Sequence, residues 1–199
     1  MSDFALYLRV GFHHIADIHA YDHILFVAAL TAAYGPREWT RIAWLVTAFT
    51  IGHSLTLALS SLDVVRVSAR VVEPAIALTI ILAAGTAIHD QRHGIAPVQG
   101  AWWRRYAIAG VFGLIHGLGF AGGLRTVLGR DESIVVPLLG FNVGLELGQV
   151  LIVAGLFGVG VVVERVMRWS RRDWVLVVSG ATGGIGLTLL LDRLFGSPK

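Results

Sequence analysis

The chain has 199 residues, of which 55% are hydrophobic and only 15% charged, and its mean hydropathy is +0.72. So little charge excludes an ordinary soluble domain and calls for a membrane. The net charge of +3 is spread over every loop instead of forming a stripe, which fits membrane anchoring and argues against a nucleic-acid partner. There is no cysteine, so disulfides, thiolate metal sites and thiol catalysis are excluded.

Crossing about 30 Å of hydrocarbon takes roughly 20 helical residues, and the gaps between charges supply such segments in order. The first predicted helix covers about 11–34. It ends at Gly35-Pro36-Arg37, and only eleven apolar residues, Ile24 to Tyr34, precede that stop. To span, it must reach back through His23, Asp22 and His19 towards Gly11. Further helices are predicted over about 42–62, 71–88, 106–124, 134–163 and 174–195. The expectation is one all-α domain over 1–199, a polytopic membrane bundle of about six transmembrane helices with lipid as its main partner. Barrel strands would alternate over about ten residues, and nothing here does.

Met1 to Val10 has neither a basic leader nor a small-residue cleavage site, so no secretory signal is expected. Lys and Arg number nine on the side of the first, third and fifth loops and seven on the side of both termini. The positive-inside rule then puts the termini outside. The sequence leaves open whether copies join as a homo-oligomer.

The chemistry lies in polar residues on apolar helices. His13, His14, Asp17, His19, Asp22 and His23 fall within eleven residues. His19 and His23 are four apart and Asp22 is three from His19, which aligns two imidazoles and a carboxylate on one helical face; His14, eight before Asp22, joins that stripe. The second helix carries Thr47, Thr50, His53 and Ser54, the third Glu73, the fourth His116, and the fifth Asn142, Glu146 and Gln149. An acidic residue near a helix centre costs about 2.5 to 3.5 kcal/mol in lipid, so the stripes are expected to face inward on a shared polar site. Without thiolates, and with Met only at positions 1 and 167, imidazole and carboxylate suit borderline divalent ions such as nickel, cobalt, zinc or iron(II).

The expected metal residues are His14, His19, Asp22, His23, His53 and His116. Asp22, His23, His53 and His116 hold the ion near one face, and His14 and His19 capture it at the entrance. Thr50, Ser54, Glu73, Asn142, Glu146 and Gln149 form the pathway or support the ligands. His13 and Asp17 are read as interfacial, and His89 and His93 as solvated loop residues. Two functions fit: a permease for a divalent transition metal, and an intramembrane zinc-type hydrolase using the same cluster. Ser179 to Gly186 mimics a dinucleotide fingerprint, but only thirteen residues follow it, too few for a βαβ unit. Its small residues, like Gly113 and Gly117, are expected to permit close helix packing.

Gly11-Phe12-His13-His14-Ile15, Tyr21-Asp22-His23-Ile24-Leu25-Phe26, Thr47-Ala48-Phe49-Thr50 with His53-Ser54, Val72-Glu73, Phe112-Gly113-Leu114-Ile115-His116-Gly117, and Phe141-Asn142 with Glu146-Leu147-Gly148-Gln149 together resemble the HupE/UreJ membrane proteins. The resemblance implies a six-helix bacterial inner-membrane permease of the nickel or cobalt type, with His14, Asp22, His23 and His116 at the family's motif positions. The better-studied nickel branch carries a second histidine and a glutamate around the fourth-helix motif, where this chain has Gly113 and Phe120.

Overall fold

A computed structural model describes residues 3–18, 21–95, 102–128 and 134–196. Among them are seven α-helices and no strand: α1 (Asp3–Ala16), α2 (Asp22–Thr31), α3 (Trp39–Ser61), α4 (Ala69–Arg92), α5 (Trp102–Leu128), α6 (Val135–Val166) and α7 (Arg171–Phe195). A 3-10 turn at Pro36–Glu38 leads into α3. The predicted all-α membrane bundle is therefore what the chain forms. By length and apolarity four segments among the described residues qualify as spans: Pro36–Ser61, Ala69–Arg92, Val135–Val166 and Arg171–Phe195. This criterion does not reach the expected six.

The first predicted helix is corrected most. It is not one rod over 11–34 but two helices, α1 and α2, of 14 and 10 residues. At 1.5 Å per residue each falls short of the hydrocarbon thickness. The division has a geometric reason. On one continuous helix His14 and His23 would be separated by about 13 Å along the axis, whereas their ring centroids lie 4.6 Å apart. Asp17 and Ile18, beyond the end of α1, line a cleft. Non-helical backbone within a membrane protein is tolerated where it borders a cavity or is buried in protein.

Three helix pairs pack most extensively: α3 with α5, α1 with α6, and α4 with α7. Small residues let these backbones meet. A Cβ on Gly113 would overlap the Phe49 carbonyl of α3, and one on Gly117 the His53 carbonyl. Gly11 and Gly144 bring α1 and α6 together in the same way, against Phe141 and Leu8 backbone. Gly186 lies over Ile80, and Gly183 over Ala84, so these two glycines pack α7 on α4 as expected, whereas a Cβ on Gly180 or Gly184 would meet nothing within 4 Å.

The short α2 fits between these pairs and is held at both ends by arginines of α7. Arg193 Nη2 donates to Asp22 Oδ2 at 2.5 Å, at the N-terminus of α2, where a carboxylate also suits the helix dipole. At the other end Arg171 donates to the backbone carbonyls of Ala32, at 3.1 Å, and Tyr34, meeting carbonyls that a helix end leaves unpaired. Arg171 is placed there because a capping box, Ser170 with Asp173, starts α7 just before it.

α4 runs to Arg92, four residues beyond the predicted end at 88. Asp90 is buried in this extension and accepts from Arg105 at 2.6 Å. His89 and His93 are exposed as expected, but they occupy the last turn and cap of α4, not a loop; His93 Nδ1 lies 2.9 Å from His89 O.

Candidate metal centre

Four histidines from four helices converge. His14 ends α1, His23 begins α2, His53 lies on α3 and His116 on α5. One ligand atom from each of His14, His23 and His53 lies within 4.8 Å of the other two. The His116 ring centroid is 5.0 Å from that of His23. His53 and His116 are adjacent because Gly113 and Gly117, three residues before and one after His116, let α5 rest on the α3 backbone at Phe49 and His53.

Polar satisfaction singles this cluster out. Among the described residues, six imidazole nitrogens are buried without a hydrogen-bond partner: His14 Nε2, both nitrogens of His23, both of His53, and His116 Nδ1. Buried polar groups are otherwise paired almost without exception, so this concentration is what a cation site requires.

His116 is oriented by a residue the sequence reading missed. Thr79 Oγ1 lies 2.7 Å from Ile76 O and 2.9 Å from His116 Nε2. The hydroxyl has one proton. If it goes to the carbonyl, Nε2 of a neutral His116 must donate to Thr79, leaving the Nδ1 lone pair free. A hydrogen bond on one ring nitrogen commonly fixes the other as a metal ligand.

A cleft of about 1080 Å³ leads to the cluster, and His14, His23 and His116 line it together with Arg9, His13, Asp17, Asp22, Glu73, Phe120 and Arg193. It opens on the face holding the C-terminal end of α7 and the N-terminal part of α4, where Arg193 also donates to Glu73 O at 2.9 Å. His53 is fully buried and does not line it. Aromatic rings pack around the histidines: Phe26 lies 5.0 Å from His116, Phe49 5.2 Å from His116, and Phe141 stacks on His53 at 5.9 Å. Beyond Phe26, a cavity of about 60 Å³ is bordered by Phe112, Tyr34 and Arg105. The Phe26 and Phe112 rings are 5.8 Å apart, and Phe112 borders this cavity.

The expected residues divide accordingly. His14 joins the cluster and also lines the cleft that leads to it, because α1 is a separate helix that brings it onto His23. Asp22 lines the cleft, but one of its oxygens is taken by Arg193. His19 lies outside the described residues. His13 and Asp17 are exposed and line the cleft. Glu73 is exposed at its border, and Glu146 is half-buried on α6. Thr50 donates to Gln149 Oε1 at 3.0 Å, and Ser54 Oγ lies 2.5 Å from Asn142 Oδ1. These pairs tie α3 to α6 directly beside His53. At the two departures from the nickel branch, Phe120 packs on His14 with centroids 4.0 Å apart, and Gly113 meets Phe49 and His53 backbone. Arg193 also escaped the sequence reading; a lone arginine near a helix end carries no signal beyond anchoring.

A helical membrane bundle with a buried histidine cluster at the base of a one-sided cleft is the class of protein that this fold and site define. The chain belongs to the HupE/UreJ family: the family model described as HupE / UreJ protein matches residues 1–193. Comparison with curated proteins and with solved structures gives no significant match.

Proposed function

We propose that the protein is a permease for a divalent transition-metal ion of the nickel or cobalt type, and that His14, His23, His53 and His116 are its transient ligands. The observation that carries this reading is the group of six unpartnered imidazole nitrogens at the end of a cleft. Imidazole donors without thiolate suit nickel, cobalt or zinc, and family membership favours the first two. A cargo site needs access from one face at a time, and the aromatic rings at Phe26, Phe49 and Phe112 provide the closed side. The cleft lies on the face that the Lys and Arg count assigns to the outside, which supports uptake. Glu73 gives its wall a carboxylate that attracts a cation, and Thr50, Ser54, Asn142 and Gln149 brace α3 and α6 around His53.

The hydrolase reading is less well supported. It needs a carboxylate acid or base beside the metal, and the three-histidine group contains none; Asp22 is engaged by Arg193. The test is nickel and cobalt uptake into proteoliposomes, with elemental analysis of the purified protein before and after chelator dialysis. Exchangeable metal and uptake, both lost in His53→Ala and His116→Ala, are the expected result. Uptake that survives both substitutions, or a stoichiometric metal that dialysis does not remove, overturns the proposal.

A further inference from the structure

Resting on the metal-site reading above, we propose that Arg193 sets the strength of cation binding: its guanidinium neutralises Asp22 and so keeps the site's hold on a divalent ion weak enough to be reversible. A cation facing a cation cleft needs a reason. Arg193 lines the cleft together with Asp22, His23 and His116, and it is fixed in place by two bonds, to Asp22 Oδ2 at 2.5 Å and to Glu73 O at 2.9 Å. Both side chains are largely removed from solvent, at 16% and 19% exposure, so their charges are poorly screened.

The charge balance follows. The ligand imidazoles are neutral when they bind metal, and Asp22 adjoins His23 in the chain. Without Arg193, one uncompensated carboxylate would face an incoming dication, and the pair would hold it tightly. With Arg193 the ionised pair sums to zero, and Asp22 Oδ2 is already committed. The dication then meets neutral nitrogens and a carboxylate that is half engaged. A permease must release what it binds, and this balance supplies that property. Arg193 is thus a positioning and affinity-setting residue, not a ligand.

The test uses the full chain in detergent or nanodiscs with Ni²⁺ alone as probe. Affinity is measured calorimetrically and release by a chelator chase. Arg193→Gln removes the charge and retains a donor for Glu73 O; it is expected to bind Ni²⁺ about tenfold more tightly or better, with release slowed in proportion. Arg193→Lys keeps the charge and should stay within a few-fold of the wild type. Asp22→Asn, leaving Arg193 unbalanced, should weaken binding about tenfold, and Asp22→Asn with Arg193→Gln should recover part of that loss. A residue that only braced α2 would lower thermal stability without tightening binding. Unchanged or weaker binding in folded Arg193→Gln overturns the proposal. Should that variant not fold, unchanged or tighter binding in Asp22→Asn overturns it. No binding to the wild type overturns the metal-site reading as well, whereas wild-type binding without the Arg193 effect overturns this inference alone.

Discussion

Gly113→Ala tests whether close helix contact builds the metal centre. The added methyl would overlap the Phe49 carbonyl oxygen and come within 2.9 Å of Phe49 C and 3.0 Å of His53 N. Comfortable carbon contacts lie at about 3.5–4.0 Å. Every atom it meets is backbone, so no side chain can turn away, and α3 and α5 must part by about 1 Å. Metal–ligand distances tolerate only about 0.2 Å. His53 and His116 lie on opposite sides of this contact, so nickel affinity should fall by about 10- to 100-fold. Overpacking should also cost about 1–3 kcal/mol of stability. Calorimetric titration and thermal unfolding in the same detergent measure the two effects. Gly85→Ala in α4 is the control: a Cβ there meets nothing within 4 Å, and stability should rise slightly, by about 0.5–1 kcal/mol. A folded Gly113→Ala that binds nickel within twofold of the wild type would refute the reasoning.

Thr79→Val removes the acceptor of His116 Nε2 while keeping the shape, and nickel affinity should drop about tenfold; unchanged affinity would show that the His116 tautomer is not set by Thr79. Phe26→Ala should join the cleft to the small cavity beyond it. Because the chain has no cysteine, a single cysteine placed at Ala29 reports this directly: a membrane-impermeant thiol reagent applied from the cleft side should label it in Phe26→Ala and spare it when Phe26 is intact. Acid should release the metal, since the nitrogen lone pair that ligates it is the one a proton takes up as pH falls. Affinity titrated from about pH 7.5 downward should fall at the acid end of the range, and metal that stays bound at the lowest pH at which the protein remains folded would exclude imidazole ligation.

The polar residues of the long helices were legible in the sequence because an apolar helix isolates them: His53 and His116 stand out for that reason, and Thr50, Gln149, Ser54 and Asn142 pair across α3 and α6 on the faces their spacing implies. Composition alone established the helical membrane class. The division of the first helix was not legible, because a hydrophobic run of a given length reads alike whether it is one helix or the second of two. Thr79 resembles any helix threonine bonded to its own backbone. The Asp22 to Arg193 pair joins residues 171 positions apart, a separation over which periodicity carries no information. Gly113 and Gly117 were recognisable as packing residues by their spacing of four, but which backbone they touch depends on the tertiary arrangement.

The paired helices also divide the molecule mechanically. Where glycine lets one backbone rest on another, as between α3 and α5 or α1 and α6, separation is fixed by hard atomic contact and sliding is resisted by every carbonyl in the row. The ten-residue α2 is held instead through side chains, with Phe26, Val27 and Ala29 buried in the core and arginines of α7 bonded at its two tips. His23 and Phe26 share that short rod, so any displacement of it would carry together a histidine of the cluster and a ring that packs on His116.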